Sequence, residues 1–132
     1  MNAATRALVR TRAGNRCEYC LIAQSHVELS HHIEHIMALK HGGSDDLSNL
    51  CLACARCNLF KGSDLTGFDA VTGLVERLFN PREQAWADHF ELQGPLIVGR
   101  TPTGRVTVQV LSMNEGQRLQ LRGALVAAGL YP

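Results

Sequence analysis

Apolar and polar positions change period several times along the chain, and each change marks an element. Residues 3 to 13 predict a short helix, with Ala4, Ala7 and Leu8 on one side, Arg6 and Arg10 on another, and Gly14 as its stop. Val27, Leu29, His31 and Ile33 then alternate with Glu28, Ser30, His32 and Glu34, the period of a strand. Leu47 to Leu50 reads as a short turn, Cys54 to Lys61 as a helix ended by Gly62, and Ser63 to Gly73 as a connector without a period. Leu74 to Phe79 alternates as a strand that Asn80-Pro81 breaks, and Arg82 to His89 suggests one or two helical turns around Trp86. Leu96-Ile97-Val98 and Arg105 to Leu111 are β-rich and flank Thr101-Pro102-Thr103-Gly104, which predicts a hairpin. Asn114 is placed to cap a last helix over 115–128 that ends at Gly129. The expected class is α+β, without internal repeats.

Composition narrows the picture. The chain has 132 residues and is 45% hydrophobic, enough for one domain with a core, yet it holds four Phe, two Tyr and one Trp. The first sixty residues are poor in large apolar side chains, so that part needs another source of folding energy. The net charge of +1 is weak support for a polyanion partner. Arg6, Arg10, Arg12 and Arg16 crowd the N-terminal segment, where they could meet phosphates or form a solvated basic face. The segment MNAATRALVRTRAG lacks the apolar stretch of a signal peptide, and no run is long enough to span a membrane. A cytoplasmic protein with no membrane partner is the expectation.

The cysteines supply what the core lacks. Cys17-x-x-Cys20 and Cys54-x-x-Cys57 are two CxxC pairs more than thirty residues apart, the spacing of a tetrahedral zinc site. Five cysteines, an odd number, argue for metal in a reducing compartment rather than for disulfides. Structural zinc contributes on the order of 10 kcal/mol to the folding of small modules. Cys51 adds a third step to Cys54 and Cys57; it reads as a small buried residue, with replacement of a neighbouring ligand as the alternative. Between the pairs lie Glu34-His35, Gly42-Gly43 and Asn49, and Asn58 follows the last cysteine. A carboxylate, a histidine and two asparagines inside a zinc-stapled hairpin suggest a second, chemically active metal site.

That run resembles the HNH (ββα-metal) endonuclease family, through Cys17-x-x-Cys20, Glu34-His35, Gly42-Gly43, Asn49-Leu50, Cys54-Ala55-Arg56-Cys57-Asn58 and Lys61-Gly62. Leu78-Phe79-Asn80-Pro81-Arg82, Trp86, His89-Phe90 and Gly104-Arg105 resemble a C-terminal extension found in a bacterial branch of it. The resemblance implies a zinc-stabilised ββα-metal lobe over residues 1–66 and an extension over 67–132, a small β-hairpin and helix packed on it as one domain. It also implies a DNA endonuclease. His35 would be the base that activates water, with Glu34 and Asn58 as hard oxygen ligands for Mg²⁺ or Mn²⁺. Asn49 would fix the loop and orient His35, and His41, Arg56 and Lys61 would lie nearest a bound phosphate, with a solvated role for each as the alternative. Two departures stand out: Glu34 replaces the more usual Asp, and Met37-Ala38 stands where a proline is common. The rival reading is a zinc-stabilised nucleic-acid-binding module that does not cleave; a CxxC redox protein fits the two distant pairs poorly.

Overall fold

The computed structural model describes the whole chain, Met1 to Pro132. It is a mixed α/β protein built on three separate two-stranded antiparallel sheets. The first helix, α1 (Ala3–Arg12), starts where the Asn2 side chain accepts from the Thr5 amide at 2.8 Å. Its Val9 packs on Leu50 and Leu52, a small apolar cluster apart from the main core. Strand β1 (His32–His35) pairs with β2 (Leu50–Ala53), in the register Ile33 opposite Leu52, Glu34 opposite Cys51 and His35 opposite Leu50. Helix α2 (Ala55–Lys61) follows at once, its first turn capped by the Cys54 sulfur.

Two expectations change here. The strand predicted from Val27 begins only at His32, because residues 24 to 31 wrap around one side chain. Gln24 donates to the Leu29 carbonyl and accepts from the His31 amide, which ties this stretch to itself rather than to a partner strand. Leu50, expected to end a turn, instead opens β2, every residue of which is buried.

The second half departs further. Strands β3 (Thr66–Asp69) and β4 (Leu74–Arg77) form a hairpin where a connector was expected before the strand. A single turn, α3 (Trp86–His89), leads into β5 (Phe90–Gln93), which pairs with β6 (Leu96–Gly99). Residues 105–111, expected as a strand, lie mostly in helix α4 (Pro102–Val110). Thr101 caps α4 through a 3.0 Å bond from the Gly104 amide to its hydroxyl, and Pro102 occupies the first turn. The β-branched residues fit a helical stripe equally well, with Val106, Thr107 and Leu111 buried. Gly104 lets α4 dock, since a Cβ there would meet the His89 carbonyl oxygen at 1.9 Å. Helix α5 (Gly116–Ala127) is capped by Glu115 rather than Asn114, whose amide instead bridges the Ile97 backbone and accepts from Arg122.

The main core holds the four knuckle cysteines, Tyr19 and Ile22 together with Phe79, Phe90, Ile97, Val106, Leu111, Met113 and Leu125. Both halves of the chain therefore share one apolar interior. No helix is long and apolar enough to cross a membrane.

Candidate metal centre and catalytic loop

Cys17, Cys20, Cys54 and Cys57 are all buried, and their sulfurs lie within 4.8 Å of one another. In each knuckle the fourth amide turns back onto the first sulfur, Cys20 N–H to Cys17 Sγ and Cys57 N–H to Cys54 Sγ, both at 3.4 Å. Cys20 and Cys54 sulfurs stand 3.6 Å apart, far from bonded. Zinc–sulfur bonds of about 2.3 Å give tetrahedral edges of about 3.8 Å, so the cluster fits a structural zinc ion. Cys51 lies outside the cluster; its thiol contacts the Tyr19 hydroxyl and Glu34 Oε2 at 3.6 and 3.7 Å.

A cation that the sequence did not reveal completes the centre. Arg118 of α5 donates to Cys57 Sγ at 2.8 Å, with Cys54 Sγ at 3.9 Å, while its other nitrogen holds the Leu111 and Ser112 carbonyls. Burial weakens its hold on a proton, but the charges of Cys57, Cys20 and Cys54 more than reverse this. No spacing rule links residues 61 apart, so only the fold could expose this contact.

Beside the centre, β1 and the Gly42–Gly43 loop carry the remaining candidates. Gly42 adopts φ 89°, and a Cβ on Gly43 would sit 1.8 Å from the Met37 oxygen, so the loop folds tightly on the end of β1. Asn49 ties it down: its oxygen accepts from Met37 N–H at 2.9 Å, and its nitrogen donates to the Met37 and Ser44 carbonyls at 3.0 and 2.8 Å. His35 Nε2 lies 2.7 Å from Asp45 Oδ1 in the same loop. Asp45, like Arg118, makes a contact that no spacing in the sequence marks.

Glu34 faces inward, 5% exposed, with Lys61 Nζ 3.5 Å from its Oε1. Burial pushes its carboxyl from 4.5 up to about 7, against the pull of Lys61. Oε1 has no hydrogen-bond partner, and the Asn58 side chain on α2 makes no hydrogen bond within the chain. Lys61 itself, expected beside a phosphate, is 2% exposed and donates to the Ile36 carbonyl at 3.0 Å, so it anchors β1 and balances Glu34 from inside. Arg56 and Asn49 line different clefts: Arg56 bonds Gln117 near Cys20, whereas Asn49 borders a cleft of about 380 Å³ reaching Arg77 and Gln84. His41 is exposed and lines neither. Among the N-terminal arginines, Arg10, Arg12 and Arg16 are spent on the carbonyls of His31, Leu47, Leu50 and Leu21, leaving Arg6 as the one whose side chain makes no hydrogen bond.

The Glu34 carboxyl predicts a pH effect on stability. Between about 4.5 and 7 the folded chain keeps a proton that the unfolded chain releases, so what Glu34 contributes falls as pH rises through that window. Glu34→Gln removes this loss. Measured by urea unfolding of both proteins at matched pH, the difference should move in favour of the variant by roughly 2–3 kcal/mol from pH 5 to pH 8. A difference independent of pH would place the carboxyl in water.

No curated protein and no solved structure matches the chain. Residues 17–64, which hold both knuckles, the Gly42–Gly43 loop and the β1–β2–α2 run, match the family model described as HNH endonuclease.

Proposed function

We propose that this protein is a metal-dependent HNH endonuclease that hydrolyses phosphodiester bonds of DNA, with its sulfur cluster closed by zinc in a ββα-metal lobe. The observation that carries the reading is the union, within residues 17–64, of a four-cysteine cluster and an accessible imidazole, His35, held at the end of β1 by a loop clamped through Asn49. His35 takes a proton from water; the oxygen so activated bonds phosphorus as the bond to the 3′ oxygen breaks, and that oxygen gains its proton from solvent. Glu34 and Asn58 would hold Mg²⁺ or Mn²⁺: both offer hard oxygens, and neither the buried Glu34 Oε1 nor the Asn58 amide is spoken for by a hydrogen bond. Such an ion, when bound, supplies Lewis-acid neutralisation of the phosphate and the leaving oxygen. Lys61 holds Glu34 in the meantime and fixes the backbone that carries His35. Arg56 and His41, both exposed, are left for outlying phosphates.

The rival is a zinc-stabilised module that binds nucleic acid without cutting it. Supercoiled plasmid incubated with the protein and Mg²⁺ or Mn²⁺ separates the two. Relaxed and then linear plasmid is expected; retention in a gel shift without any nicking would leave the binding module alone.

A further inference from the structure

We propose that Asp45 is a positioning residue for His35: it accepts the Nε2 proton of the imidazole, fixes that tautomer, and leaves Nδ1 as the nitrogen that takes the proton from water. The catalytic half of this statement rests on the endonuclease reading, whereas the tautomer does not.

Three observations converge on it. Asp45 Oδ1 lies 2.7 Å from His35 Nε2, and an ionised carboxylate can only accept, so Nε2 must carry the hydrogen. His35 Nδ1 makes no hydrogen bond within the chain and is the lone pair that remains when the ring is neutral. The hydrogen bond from His35 holds the Asp45 carboxyl below the usual carboxylate range, so the acceptor keeps its charge.

The loop, moreover, is built to deliver Asp45 to this place. One amide, that of Asn49, bonds Ser44, the residue before Asp45, and Met37, two residues after His35. The Asn49 backbone repeats the clamp, its N–H donating to the Asp46 carbonyl at 2.8 Å and its carbonyl accepting from Ile36 N–H at 2.8 Å. Both ends of the His35–Asp45 pair are thus fixed to the same residue, one on the strand and one on the loop. Once His35 has gained its second proton, the carboxylate faces an imidazolium and stabilises it, as an orienting acid does beside a general base.

The test uses the full, zinc-loaded chain. Long-range ¹H–¹⁵N correlation of the imidazoles at about pH 8.5, where histidines are neutral, reads the tautomer directly, with the His35 signals identified by their loss in His35→Ala. The parent should show His35 protonated at Nε2. Asp45→Ala should shift it toward the other tautomer and lower kcat by about 10- to 100-fold at unchanged KM. Asp45→Asn, which retains an acceptor oxygen and covers the case in which the alanine variant misfolds, should keep the tautomer and lower kcat less. A parent protonated at Nδ1, or an Asp45→Ala spectrum identical to the parent's, overturns the proposal. A tautomer that responds as described in a protein that never cuts DNA supports the pairing and removes the endonuclease reading instead.

Discussion

Removing zinc with a chelator, or replacing Cys57 with Ser, is expected to unfold the entire chain rather than residues 17–64 alone. The four cysteines are at most 5% exposed and belong to the same apolar cluster as Phe79, Phe90, Ile97 and Met113. The C-terminal half also grips the knuckles through polar contacts: Trp86 Nε1 donates to the Tyr19 carbonyl at 2.8 Å, the Tyr131 hydroxyl to the Cys20 carbonyl at 2.6 Å, and Arg82 pairs with Glu18. Loss of about 10 kcal/mol of metal binding meets a total stability of about 5–15 kcal/mol for a domain of this kind, so the folded state should not survive it. Helical circular dichroism and Trp86 fluorescence followed during chelation should change together. Native Trp86 emission persisting after the metal has gone would show instead that residues 67–132 fold by themselves.

His35→Ala should lower plasmid nicking by about 10²- to 10⁴-fold, the range that a positioned general base contributes. Zinc content, circular dichroism and DNA retention in a gel shift should stay at parental values. His35 is only partly buried, with one side-chain hydrogen bond, to an exposed aspartate, so its removal leaves neither a cavity nor an orphaned buried group. Nicking by the variant at the parental rate would take the base away from His35 and leave the cleavage chemistry without an owner.

The metal centre was legible in the sequence because its information is local. A CxxC pair dictates its own turn, and two pairs dictate a cluster whatever lies between them. Helices α1 and α2 were legible for a similar reason, since their stops, Gly14 and Gly62, lie beside them. The second half resisted because its signals were double. Val106, Val108 and Val110 satisfy a strand and a helix alike, and only the cap at Thr101 and the docking of Gly104 against His89 decide for the helix. Thr66-Gly67-Phe68-Asp69 has no strand pattern of its own; it is extended because β4 pairs with it and α4 packs where Gly67 has no side chain, close to Val106 and Val110. Within the candidate site, residue types were readable but partners were not. That Lys61 would turn inward to Glu34, or that Asp45 would meet His35, depends on how the loop closes, and nothing in spacing encodes it.

The Arg118 guanidinium keeps its proton at every pH the chain can survive, so a zinc tetrathiolate formed beside it would be half-neutralised. Sulfur lone pairs drawn toward such a neighbour are poorer nucleophiles, which slows attack by oxidants and alkylating agents. Truncation ahead of α5 would strip that shield, exposing the knuckles to corrosion from the far end of the polypeptide.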